Sequence, residues 1–192
     1  MLLLTALMAT AHADVPEAEA PERVDVHDPS HPVALGSRIG AWTGPYTSPA
    51  LGGHIKLKPH EAFGVEGFMD HTLQLAEGIA RHDHVIGFSL YTPAILGDHR
   101  WFLSPTLGAC VDFRADTPFQ ERGPSNTDIL FGTHAGAMLE LAVGDGWSVE
   151  LDGQGFVYWG NQIATDSWSA TASNRLHATA VFQSVASINY TL

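Results

Sequence analysis

Cysteine occurs once, at Cys110, which rules out a disulfide framework and any cysteine-rich zinc centre. Lysine occurs only at Lys56 and Lys58. Nine basic residues stand against 21 acidic ones, giving a formal net charge of −12. That balance argues against a nucleic-acid partner, because phosphate contacts need a Lys/Arg surface. Charged residues are 16% of the 192, below the usual quarter, while 45% are hydrophobic, so the chain is neither disordered nor well supplied with solvating groups. No run of about 18 apolar residues follows the N-terminus, which excludes a transmembrane helix. The hydrolase and metalloprotease signatures G-x-S-x-G and H-E-x-x-H are missing as well. What these absences leave standing is one domain, and a membrane protein made of strands remains among the possibilities.

The first 13 residues, MLLLTALMATAHA, form a short apolar stretch ending in Ala11-His12-Ala13, the small-x-small pattern of a signal-peptidase site. Residues 1–13 are therefore expected to be a signal peptide. From Asp14 to Ala34 the composition turns to Pro, Glu, Asp and His. Asp14, Glu17, Glu19, Glu22, Asp25 and Asp28 are opposed only by Arg23, so 14–34 reads as a flexible acidic lead-in.

From Leu35 onward polarity alternates with a period of two, the mark of a strand with one apolar and one polar face. Between Arg100 and Arg114 the odd positions are Trp101, Leu103, Pro105, Leu107, Ala109, Val111 and Phe113. Ser104, Thr106, Gly108, Cys110 and Asp112 take the even ones, with Phe102 the exception. Around Trp147–Gly160 the pattern recurs, and Leu176, Ala178, Ala180, Phe182, Ala186, Ile188, Tyr190 and Leu192 continue it to the last residue. A 3.6-residue period would mix the two sets on every face. The spacing predicts eight strands over 35–44, 49–58, 62–75, 82–96, 99–114, 127–143, 146–160 and 175–192. Tight turns are expected at 59–61, 97–98 and 144–146, and longer loops at 44–49, 76–81, 115–126 and 161–174, so that turns gather at one end and loops at the other. Pro93 and Pro105 fall inside predicted strands, where each removes a ladder donor, and bulges near the rim are the expected accommodation.

An eight-stranded meander with one apolar face has two solutions. With the apolar face inward it is a soluble, lipocalin-like secreted barrel for an apolar ligand; with it outward it is an outer-membrane barrel. The polar faces here are mostly Gly, Ser, Thr, Ala, Gln and Asn, which suits a crowded lumen better than a solvated exterior. Many strands are longer than the 9–11 residues that a bilayer needs. Phe63, Trp101, Phe113, Trp147, Trp159 and Tyr190 lie near strand ends on the apolar parity, where an interfacial aromatic girdle belongs. The cleavable signal, the turn/loop asymmetry and the final strand ending Ile188-x-Tyr190-x-Leu192 together resemble the small eight-stranded outer-membrane proteins of the OmpA/OmpX class, although Leu192 stands where that class usually has Phe or Trp. The resemblance covers 35–192. It implies an all-β fold: a single up-and-down, eight-stranded antiparallel transmembrane barrel in the outer membrane of a Gram-negative cell envelope.

On the polar parity lie Arg38, Lys56, Glu66, Asp70, Asp112, Glu140, Glu150 and Asp152, and closure would face them across a narrow bore. Buried charge is tolerated when paired and hydrogen-bonded, so an ion-pair network is expected, with His54, His134 or His177 available to the surplus acids. Such a filled lumen does not make a general porin. Expected partners are outer-membrane lipid and, through the loops, an extracellular ligand or protein, with Phe119 and Trp168 as contact residues. No catalytic residues, cofactor or metal are assigned. Ser89 and His134 read as isolated lumen residues, which leaves a lipid-modifying outer-membrane enzyme as a second alternative. His82 and His84 share a strand face, with His71 on the neighbouring strand, and Cys110 reads as a small packed residue.

Overall fold

The computed structural model describes residues 32–44, 47–76, 79–96, 100–118, 126–161 and 176–192. The expected signal peptide, nearly all of the lead-in, and Phe119 and Trp168 lie outside these residues. The strands are β1 (Val33–Thr43), β2 (Thr47–His60), β3 (Phe63–Ala76), β4 (Ile79–Tyr91), β5 (Ala94–Leu96), β6 (Trp101–Pro118), β7 (Asn126–Gly144), β8 (Trp147–Asn161) and β9 (Leu176–Thr191). Each pairs antiparallel with its neighbours in the sheet. Pairing of β1 with β9 and of β4 with β6 closes the sheet into an up-and-down barrel of eight staves, with β5 completing the stave that β4 begins.

Closure gives every stave a partner on both sides and leaves no free edge, a condition that hydrocarbon surroundings impose because no water is there to pair with the backbone. The period-two pattern then sorts the side chains. Leu35, Ile39, Leu51, Met69, Ile86, Phe88, Leu107, Phe131, Leu151, Phe182 and Ile188 point outward and are exposed, whereas the buried set includes Arg38, Lys56, Glu66, Asp70, Asp112, Glu140, Glu150 and Gln154. A lipocalin-like barrel requires the opposite arrangement, so the apolar-inside alternative falls.

Three details differ from the sequence expectations. Strand β1 starts at Val33, taking two residues from the lead-in. The ladders run as far as Thr43↔Thr47 and Ala76↔Ile79, so the segments 44–49 and 76–81 are tight connections, and the longer ones are confined to 119–125 and 162–175. The polar residues at these strand ends are spent on the inner face, as Ser48 and Thr72 are, which makes composition a poor guide to where a strand stops. The predicted strand 82–96 breaks at Thr92-Pro93. Across this break the ladder lapses between Tyr91↔Thr106 and Ala94↔Leu103, and Pro105 lies opposite it on β6. The two prolines thus share one gap, where neither displaces a paired donor. The β7–β8 turn lies where the sequence places it, and it is tight because Gly144, Asp145 and Gly146 all take positive φ (127°, 50° and 79°), a conformation open to glycine and tolerated by Asp.

Candidate functional site: the filled lumen

The inner face divides into two layers. Toward the chain termini it is charged, and its centre is Arg38 on β1. The guanidinium lies 3.4 Å from Glu66, 3.1 Å from Asp70 and 3.9 Å from Asp152, donates to Gln183 at 3.3 Å, and packs 4.9 Å above the Phe68 ring. Gln183 in turn donates to Asp70 at 2.6 Å. Lys56 on β2 is fully buried; its ammonium pairs with Glu150, lies 3.8 Å from Glu140, and touches the Met138 sulfur at 3.0 Å and the Tyr91 face at 5.5 Å. Ser148 donates to Glu140 at 2.5 Å. The two clusters join through His54, whose Nδ1 is 2.7 Å from Glu66 and whose Nε2 is 2.6 Å from Asn189.

Alternation places these residues together. Arg38, Lys56, Glu66, Asp70, Glu140, Glu150 and Asp152 come from five strands, yet each sits on the inner parity of its own. Asp112 is buried too but belongs to a separate group nearer the loops, where Arg114 reaches it at 3.2 Å and Asp83 at 2.9 Å, and Asp83 accepts from Thr72. The side chain of His177 lies outside the described residues.

Toward the loops, beside the Asp112 group, Trp42, Ala50, Phe68, Val85, Cys110, Leu130, Phe156 and Tyr158 form one buried apolar cluster. Trp42 packs on Phe156 at 4.7 Å between ring centroids, and Phe156 stacks on Tyr158 at 5.9 Å. The sequence reading of a lumen lined by small polar groups missed this layer, because its aromatics come from three separate strands, β1, β3 and β8. The signal that marks it is glycine placement. A side chain at Gly87 would run into the Phe68 ring, and one at Gly132 into Tyr158, so glycine on one strand makes room for an aromatic on the next.

Ser89 and His134 are not isolated. Ser89 pairs with Gly108 and Gly108 with His134, and the missing side chain at Gly108 lets Ser89 Oγ and His134 Nε2 meet at 2.9 Å. The distance is that of a nucleophile and its base. Among the described residues no carboxylate orients His134 Nδ1 and nothing hydrogen-bonds to it, and Phe156 and Phe68 pack on the imidazole at 4.7 and 5.5 Å. Both residues are sealed from solvent, and the pair behaves as lumen packing. A metal centre fares no better at the other polar cluster. His54, Glu66 and Glu150 bring ligand atoms within 4.8 Å of one another, but Lys56 and Arg38 already supply the positive charge that an ion would bring.

On the outside, Phe63, Trp101, Trp147 and Tyr190 are exposed at the end of the barrel that holds the termini, with Trp147 and Tyr190 in contact at 4.9 Å. Phe113 and Trp159 are exposed toward the other end. Trp101 and Phe113 are twelve residues apart on β6, as are Trp147 and Trp159 on β8. At about 3.3 Å per residue and a tilt of about 40–45°, that separation is roughly 28–30 Å, close to the apolar band of an outer-membrane barrel.

No protein-family model matches the sequence, and no curated protein matches it either. Solved structures do match in shape. The N-terminal β-barrel domain of Pseudomonas aeruginosa OprF superposes with a TM-score of 0.57 at 6% identity, over 83% of this chain and 97% of that one. A major outer membrane protein from Thermus thermophilus gives 0.54 at 10% identity, over 83% and 99%. Ail, the attachment invasion locus protein of Yersinia pestis, gives 0.50 at 11%, over 84% and 97%. The shared feature is the fold of the small eight-stranded outer-membrane barrels.

Proposed function

With that outer-membrane barrel fold as premise, we propose that this chain is an integral outer-membrane protein whose bore is plugged by its own side chains and whose role is structural or adhesive, exerted through the loops. One observation carries the reading: large apolar side chains cover the outer wall while Arg38 and Lys56 sit inside among carboxylates. Outward Leu, Ile, Phe and Trp supply the partition energy in lipid. A lumen filled by side chains in this way speaks against a general porin. The reading is non-enzymatic.

The longer connections, 119–125 and 162–175, leave the barrel at the end away from the termini, which is the external end of an outer-membrane barrel. Each carries one acid and one base, Glu121 with Arg122 and Asp166 with Arg175. Ail has been crystallised with the heparin analogue sucrose octasulfate. Here the balanced loop charge and the aromatics Phe119 and Trp168 favour a partner held by apolar contact over a polyanion.

Fractionation is the deciding experiment. The expected result is recovery from the outer membrane, with heat-modifiable migration in detergent and no conductance steps after reconstitution in a planar bilayer. A mature chain that stays folded and monomeric in water without any amphiphile overturns the membrane reading, and conductance steps overturn the plug. For the loops, Phe119→Ala and Trp168→Ala are expected to abolish adhesion of cells displaying the protein to host-cell monolayers while leaving the migration shift intact. Unchanged adhesion would discard those two contacts.

A further inference from the structure

Three histidines lie on the outer wall and take no part in the lumen. His71 on β3 is directly opposite His84 on β4, and His82 is two residues away from His84 on the same face, diagonal to His71. The His71 ring lies 4.5 Å from that of His84 and 5.6 Å from that of His82, centroid to centroid. Opposite residues of an antiparallel pair hold their Cβ atoms about 4.5–5.5 Å apart, so a rigid ladder fixes the spacing of these imidazoles. His84 is also opposite Phe113, which sets the triad at the level of the outer aromatic girdle, toward the loops.

The three rings stand among apolar side chains. The outward neighbours on β3, β4 and β6 are Met69, Leu73, Ile86, Val111, Phe113 and Ala115, none of them charged. The nearest acid, Asp83, points into the barrel and is occupied by Arg114 and Thr72. Arg81 shares the inner parity with Asp83 and also points inward. Among the described residues no carboxylate shares that outer face with the three rings. His71 Nδ1, moreover, is shut off from solvent and has no hydrogen-bond partner among the described residues. An unpartnered imidazole nitrogen next to two more imidazoles is a ligand set for a borderline cation.

We infer that His71, His82 and His84 form a three-histidine site for a transition-metal dication such as Zn2+ or Cu2+ on the outer wall at the loop end of the barrel. His71 is the pivot, since its ring contacts both others. The rings stack rather than converge, and closing on an ion turns each about its Cβ–Cγ bond, a soft torsion. Zinc with three protein nitrogens at about 2.0–2.1 Å keeps a fourth position open for water or for an anionic oxygen from outside. Mg2+ and Ca2+, which want oxygen ligands, are poor occupants.

The test uses the full chain folded in detergent micelles. Zn2+ titrated calorimetrically should bind one per chain at this site. His71→Gln should weaken that binding at least about tenfold, as expected for loss of a direct ligand, and His82→Gln should do so less. In the triple Gln variant the site should vanish, while heat-modifiable migration remains that of the parent. Because the remaining histidines can also take up metal, the parent's Cu2+ spectrum supplies a readout that needs no variant: electron paramagnetic resonance should show superhyperfine splitting from at least two imidazole nitrogens in the folded protein, and lose it on heat unfolding. A folded triple variant that binds Zn2+ like the parent overturns the inference. So does a Cu2+ spectrum with at most one nitrogen, or one unchanged by unfolding.

Discussion

Replacing Arg38 with alanine is expected to lower the free energy of unfolding by about 3–5 kcal/mol, the usual cost of removing one partner from a buried ion pair. Arg38 is 2% exposed, with Glu66, Asp70 and Asp152 at 3.4, 3.1 and 3.9 Å. Its loss leaves three carboxylates with one counter-charge fewer and deprives Gln183 of a donor. The measurement is urea unfolding of the refolded barrel in vesicles, followed by tryptophan fluorescence and by migration. Adding Asp70→Asn to Arg38→Ala should recover part of the loss, because it removes a carboxylate as well as the cation. Were the single change to cost less than about 1 kcal/mol, the level of an exposed pair, the charged layer would be hydrated and the bore open rather than plugged.

The second large effect lies on the opposite face. Leu107 is 63% exposed on β6, midway between Trp101 and Phe113. Leu107→Arg is expected to destabilise the membrane-inserted state by about 2–4 kcal/mol, the cost of a basic residue at the bilayer midplane. Trp147→Arg, at the girdle, should cost far less on electrostatic grounds, about 0–1 kcal/mol in the same depth dependence, although it also gives up the ring contact with Tyr190. Equal penalties at the two depths would contradict the placement of the apolar band between the aromatic rungs. Leu107→Asp is a gentler version of the same test and reports on insertion rather than ligand binding.

Strand number, direction and orientation were legible in the sequence because a period of two survives any detail of packing. Ser148, Glu150, Asp152 and Gln154 could face only one way once Trp147, Val149 and Leu151 faced the other. The inner-face residues of the charged layer were legible for the same reason. Their partners were not. That Arg38 meets Asp152 through space, or that Lys56 meets Glu150 rather than Glu66, depends on the stagger at which β1 and β9 close, a quantity set by the sum of all registers. The Ser89–His134 contact was hidden similarly: it needs β4, β6 and β7 in one register with Gly108 between. The aromatic layer was missed because Trp42, Phe68, Phe156 and Tyr158 come from three separate strands, and only closure gathers them. The short connections after Thr43 and Ala76 were missed because lumen-facing polar residues look like loop residues when the far wall is out of sight.

The shared gap at Pro93 and Pro105 has a consequence for how the wall yields. Away from the turns, prising two other described staves apart means breaking a continuous row of amide bonds. At Thr92-Pro93 the row is already interrupted, and a cleft of about 390 Å³ opens beside it between Phe63, Leu90, Pro105 and Leu107. Breathing of the cylinder therefore starts at this seam, and deuterium should enter the amides flanking it, at Tyr91 and Thr106, ahead of those at the same depth on β8.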